Sequence, residues 1–219
     1  MDLVTDDNLS VISGVTDVSS PVLEEMTEYA HEEEFPIVGP QSGQFLRTIA
    51  AATGARHVFE FGSGFGYSAA WYANVLPDSS EIVLTDYDNE NLARAKEFFE
   101  RIEFAGDVHY EDGDAMESFT RHDGPWDLVL IDHAKSQYAD ALSIARSELS
   151  ENAVIVADNI LRGPASQDDI RAALQGAAVD FNESTTGIIE YIRTVRDDDA
   201  FETSIVPIGS GLAISAYRP

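Results

Sequence analysis

An α/β fold built on a seven-stranded, mostly parallel sheet is predicted by three observations. Short β-branched runs alternate with stretches of helical period, those runs are apolar almost throughout, and the last two lie close together across a glycine-containing turn. Strands that are apolar on both sides must be covered on both faces, so helices are expected above and below the sheet.

Taken in order, residues 7–53 read as three N-terminal helices, one opening at Pro21 and another around residues 44–52, with no strand between them. HVFEF (57–61), EIVLTD (81–86), DVHYE (107–111), DLVLID (127–132) and AVIVAD (153–158) then read as successive strands. GYSAAWYANVL, NENLARAKEFFERIEF and the stretch from Tyr138 to Leu149 read as the helices between them. After a helix near residues 187–196, FETSIVPI and GLAISAYR are separated by Gly209 and Ser210, which predicts an antiparallel C-terminal hairpin closing the sheet. No repeat, linker or composition break divides the chain, so residues 1–219 are expected to form one domain, with residues 1–53 helping to wall its ligand pocket.

Composition narrows the chemistry. Hydrophobic residues make up 44% of 219, enough for a packed core despite the charge. No apolar run approaches the roughly 20 residues of a membrane span, and the opening MDLVTDDNLS is acidic where a signal peptide is basic, so a soluble, cytoplasmic protein without membrane contact is expected. The absence of cysteine excludes disulfides, thiolate zinc sites and cysteine nucleophiles. The net charge of −27 comes from 40 acidic residues against 13 basic ones, spread along the chain. Such a surface disfavours nucleic acid, which needs a basic face, and it has the pattern of salt adaptation.

VFEFGSGFGYS places Gly62, Gly64 and Gly66 between the first strand and a helix, in the Rossmann-like position for an anion or nucleoside. The dinucleotide spacing G-x-G-x-x-G would need glycine where Tyr67 stands. The observed G-x-G-x-G suits S-adenosylmethionine (SAM), which has only a carboxylate to seat. Asp86 ends the second strand, where it can accept both ribose hydroxyls, and Asp114 and Ala115 follow the third, within reach of an adenine amino group.

Strand four ends in LIDHAK and strand five in VADN, so Asp132, Asp158 and Asn159 project from neighbouring strand ends. Two carboxylates and an amide form an oxygen-only set suited to Mg²⁺ or Ca²⁺. Lys135, one of only two lysines, lies three residues beyond Asp132. A nearby divalent cation disfavours the ammonium form and so suits Lys135 to act as a neutral base. His133 is read as a wall of the pocket.

With these motifs in order, the chain resembles the metal-dependent O-methyltransferases that include catechol and caffeoyl-CoA O-methyltransferases; IVGPQSGQ and PIGSGLAI extend the likeness from about Val38 to the C-terminus. The resemblance implies SAM contacts at Val38, Glu60, Gly62, Ser63, Ser68, Asp86, Asp114, Ala115 and Asp132. It implies a divalent metal, Mg²⁺ or else Mn²⁺ or Ca²⁺, on Asp132, Asp158 and Asn159, with Lys135 as general base. A small hydroxylated acceptor and a homodimer are implied as well. Two departures stand out: Ser204 is read in place of a late-strand glutamate, and the plant pattern D-A-D-K reads Asp132, His133, Ala134, Lys135. The rival readings are an NAD-dependent oxidoreductase, disfavoured at Tyr67, and a cofactor-binding protein without turnover, disfavoured by the intact set around Asp132.

At ~1 M salt the Debye length is about 3 Å, which screens the self-repulsion of an acidic surface. The melting temperature is therefore expected to rise from dilute buffer to molar KCl, and a thermal scan across KCl concentrations checks it.

Overall fold

The computed structural model describes residues 5–16, 20–163, 165–177 and 180–219; residues 1–4 and 17–19, inside or before the stretch read as helical, lie outside the described residues. Three helices, α1 (Asp6–Val15), α2 (Pro21–Glu32) and α3 (Gly39–Thr53), precede β1 (His57–Phe61) and α4 (Tyr67–Tyr72). There follow β2 (Glu81–Asp86), α5 (Asn89–Phe99), β3 (Asp107–Asp112), α6 (Ala115–Phe119), β4 (Trp126–Ile131), α7 (Tyr138–Arg146) and β5 (Leu149–Ala157). The chain closes with α8 (Gln167–Leu174), α9 (Glu183–Asp197), β6 (Phe201–Val206) and β7 (Leu212–Tyr217).

The seven strands form one sheet in the order β3-β2-β1-β4-β5-β7-β6. β1 through β5 pair in parallel, whereas β7 runs antiparallel to both β5 and β6. The strand order reverses between β1 and β4, and a crevice at the carboxyl ends of parallel strands opens at such a point. Strand alternation divides the core by face. Phe59, Phe61, Val129 and Ile131 pack with α6 to α9, while Val58, Leu84, Leu128 and Leu130 pack with α3, α4 and α5.

The N-terminal helices attach by a third cluster. Pro21 opens α2 at a position where its missing N–H is not needed. Val22, Leu23, Met26 and Ala30 then recur on one face and meet Phe65, Tyr67 and Trp71. Thr27 bridges to the Tyr67 hydroxyl at 3.0 Å, so the residue standing where a dinucleotide site needs glycine ties α2 to α4 instead.

Several details depart from the sequence reading: α3 opens at Gly39 rather than near residue 44, and Leu149, read as the end of a helix, opens β5 while α7 ends at Arg146. The helix predicted through Phe104 ends at Phe99, and two short helices, α6 and α8, were not expected. The hairpin connection runs from residue 207 to 211 rather than across two residues. Pro207 has no N–H for the ladder, and the carbonyls of Ser210 and Gly211 are taken by the N–H groups of Ile160, Leu161 and Arg162. That pinning places Ser210 beside the segment following β5.

Gly43 lets α3 lie directly on α4, because a Cβ there would stand 2.4 Å from the Trp71 ring, which is fully buried. Overpacking of this kind costs about 1–3 kcal/mol. Gly43→Ala is therefore expected to lower the midpoint of denaturant unfolding by a corresponding amount.

Candidate active site

The carboxyl ends of β1, β2, β4 and β5 frame a cavity of about 400 Å³. Of the residues predicted for the site, all but Glu60 and Asp114 line it: Val38, Gly62, Ser63, Ser68, Asp86, Ala115, Asp132, Lys135, Asp158 and Asn159 share this one space.

The glycine turn is built by backbone geometry. Gly62 has φ 82°, and a Cβ on it would stand 2.9 Å from the His133 Cα, so only glycine lets β1 turn this closely against the end of β4. Thr85 of β2 fixes the turn from the other side. Its hydroxyl donates to the Glu60 carbonyl at 2.7 Å and accepts from the Gly62 N–H at 3.1 Å, and its carbonyl accepts from the Ser63 N–H at 2.8 Å. Asp86 holds the same loop, accepting from the Gly64 N–H at 3.0 Å, while its other oxygen accepts from the Asp88 N–H and the Asn91 amide. A carboxylate has roughly four acceptor positions, so about one remains for a ligand hydroxyl.

Glu60 lies beneath the cavity floor, fully buried, with its oxygens accepting from Tyr72 Oη at 2.7 Å and Ser68 Oγ at 2.9 Å. Ser68 is the link between this carboxyl and the cavity. Burial pushes the Glu60 carboxyl up to about 7; the hydroxyls of Tyr72 and Ser68 oppose that rise, and Asp132 adds to it. Asp114 is engaged as the N-cap of α6, one oxygen accepting from the Met116 and Glu117 N–H groups and the other from the exposed Tyr87 hydroxyl at 3.1 Å. Its neighbours Gly113 and Ala115 line the cavity and it does not.

At the β4 and β5 ends, Asp132 Oδ1 accepts from Lys135 Nζ at 2.7 Å, and Asp158 Oδ1 accepts from the Asn159 N–H at 2.6 Å. Burial raises both carboxyls. Asp158 reaches about 7, with the charge of Asp132 as the second cause, and the Lys135 ammonium opposes the rise at both. Asn159 adopts φ 58°, a left-handed conformation that asparagine tolerates and that turns the chain at the cavity edge. Among the described residues no group of three or more His, Cys, Asp or Glu side chains is arranged to hold a metal; the predicted trio contains two of those types and an amide.

His133 lines the cavity, stacked on Tyr138 and tilted against Phe61. Burial lowers it to about 4, which leaves the ring neutral near pH 7. The wall contributed by the N-terminal region is the connecting segment Phe35 to Val38; the apolar face of α2 is spent on Phe65, Tyr67 and Trp71, and that of α3 packs on the sheet core. Ser204, read as replacing a late-strand glutamate, sits exposed on the edge strand β6 opposite Ile214, away from the cavity. The residue of that region that does line it is Ser210, because the loop before β7 folds onto the segment after β5. Only the PIGSGLAI likeness hinted at that contribution.

A family described as O-methyltransferase matches residues 13–217. Catechol O-methyltransferase of Niastella koreensis is 30% identical over 146 residues, 64% of this chain and 66% of that protein. Catechol O-methyltransferase of Mycobacterium tuberculosis is 33% identical over 127 residues, 58% of each, so the matches span less than two thirds of these relatives' length. Among solved structures, an O-methyltransferase from Bacillus cereus in complex with SAH aligns with a TM-score of 0.80 at 22% identity, covering 95% of this chain and 97% of that one. The O-methyltransferase TomG from Streptomyces achromogenes, in complex with SAM, gives 0.80 at 18% identity over 96% and 95% of the two chains. At that identity these two establish the fold.

A carboxyl whose folded pKa lies near 7 against an ordinary 4.5 holds a proton that the unfolded chain has lost, so stability falls as pH rises between those values. Glu60→Gln is expected to show a smaller drop in melting temperature from pH 5 to pH 7.5 than the parent, in thermal scans with chelator present. Part of the drop should persist, because Asp158 titrates in the same direction.

Proposed function

Because the chain belongs to the O-methyltransferase family, we propose that it moves a methyl group from SAM to a hydroxyl of a small catechol-like or phenolic acceptor, assisted by a divalent metal. The observation that carries this reading is that Asp132, Lys135, Asp158 and Asn159 open onto the same cavity as the glycine turn. Bound SAM supplies an electrophilic methyl group. The metal fits the donors present, since two carboxyls raised chiefly by burial, with the charge of Asp132 adding to the rise at Asp158, want a compensating charge. Asp132, Asp158 and Asn159 would hold a divalent ion, Mg²⁺ or else Mn²⁺ or Ca²⁺, whose chemistry is to lower the pKa of an acceptor hydroxyl.

The remaining work falls to the chain. Gly62, Ser63 and Ser68 seat the amino-acid end of SAM, Asp86 takes its ribose, and Val38 and Ala115 border the nucleoside. Glu60 and Asp114 act behind these, through Ser68 and through the α6 cap. Lys135 Nζ, already turned to the Asp132 edge, acts in its neutral form and takes the hydroxyl proton as the oxygen attacks the methyl carbon and the carbon–sulfur bond of SAM breaks, with SAH leaving. The apolar segment Phe35 to Val38 keeps water from the transfer. The enzyme is read as a cytoplasmic homodimer formed of one domain and adapted to high salt.

A methyl-transfer screen over catechols, flavonoids and acyl-CoA phenols in molar salt, with and without Mg²⁺, tests the function. Loss of a general base costs roughly 10² to 10⁴-fold. Lys135→Met is expected to fall in that range, and Asp158→Ala to lose more, because ionisation and alignment go together. Equal rates with and without EDTA would overturn the metal assignment.

A further inference from the structure

Lys135 opens a single 3-10 turn, Lys135–Gln137, between β4 and α7. That turn lies directly against α9. A Cβ built at Gly187 would stand 2.2 Å from the Lys135 carbonyl oxygen and 2.7 Å from the Ser136 Cα, so helix backbone meets turn backbone with no side chain between them. Backbone atoms cannot swing aside as a side-chain tip can. Glycine is a poorer helix former than alanine, and Gly187, without a positive φ, gains nothing from its conformational freedom within α9. The close approach is what requires it. One helical turn on, Tyr191 packs edge-on against Tyr138 at 6.0 Å, and the Lys135 ammonium lies 5.2 Å from the centre of the Tyr138 ring. α9 therefore meets the lysine's turn twice, through its own backbone and through Tyr138.

We propose that Gly187 is a positioning residue for Lys135: by letting α9 seat on the Lys135–Ser136 peptide, it sets the reach of the amine to the Asp132 edge. The role of Lys135 as a base rests on the function proposed above; the contact that positions it does not. An alanine at 187 must move either the helix or the turn, and a misplacement of ~1 Å in a reacting geometry costs up to about 10²-fold in rate.

The chain offers a direct readout, because its only lysines are Lys96, which is exposed on α5, and Lys135. Acetic anhydride labelling at fixed pH, followed by mass spectrometry, gives the ratio of modification at the two. Gly106→Ala is the matched control. Its Cβ would stand 2.2 Å from the Ser80 carbonyl oxygen, an equal crowding just before β3, at the opposite end of the sheet from the cavity. Gly187→Ala is expected to change the Lys135 to Lys96 ratio about threefold or more. It should also lower kcat about tenfold or more, with KM for SAM and acceptor within about threefold. Gly106→Ala should lower the melting temperature and leave ratio and kcat as in the parent. Should Gly187→Ala give no folded protein, Ile188→Val, one methylene lighter at the adjacent buried position, is expected to shift the ratio in the same direction by less. A parent-like ratio and kcat in the folded variant would overturn the proposal. A shifted ratio in a chain whose parent methylates no acceptor would uphold the positioning and remove the function it serves.

Discussion

Asp132 and Asp158 project from adjoining strand ends into a shared, largely buried edge, and the cost of keeping two carboxyls there, burial first and the charge of Asp132 on Asp158 second, is the constraint around which the site is organised. Like charges out of water are costly unless something compensates them. Here Lys135 stands 2.7 Å from Asp132, and the Asn159 N–H donates to Asp158. The acids cannot be drawn apart, because β4 and β5 are hydrogen-bonded neighbours whose register brings Ile131 level with Ala157. Proximity imposed by the sheet is thus converted into demand for positive charge at one point.

A second network supports the first from beneath. Thr85 and Asp86 of β2 hold the glycine turn by its backbone, and Glu60 on β1 is clasped by Tyr72 and Ser68 of α4. The loop that would meet a ligand therefore has little freedom left. Preorganisation of this kind limits the ordering that binding must bring about. On the opposite face of the sheet, α9 supports the turn after β4 through a glycine and a tyrosine. The two carboxylates and the lysine are held partly by one another and by Asn159 at the cavity edge, and partly by α9, no residue of which lines the cavity among those described.

Much of this was legible from local pattern. Four largely apolar runs and the polar DVHYE, with glycine or acid at or just after their ends, announce parallel strands, and all five fell within a few residues of where the pattern placed them. VFEFGSGFGYS, LIDHAK and VADN marked residues that do converge, because the order of strands in a parallel sheet leaves their ends on one edge. Asp114 and Glu60 were legible as residues but not as geometry. A capping carboxylate and a solvent-facing one look alike in sequence, and nothing local tells that Tyr72, twelve residues after Glu60, turns back to bond it.

By its order of residues alone this chain determined its fold class, the edge of the sheet at which the cavity opens and the oxygen-rich character of that edge, since each follows from short-range periodicity and from which residues end a strand. Tertiary structure decided the rest. It chose the segment Phe35 to Val38 and Ser210 as walls, sent Glu60 below the floor, gave Asp114 to a helix cap and laid Gly187 against Lys135. Those outcomes depend on contacts between segments far apart in the chain, where packing of whole elements selects among positions that the local sequence leaves equal in energy.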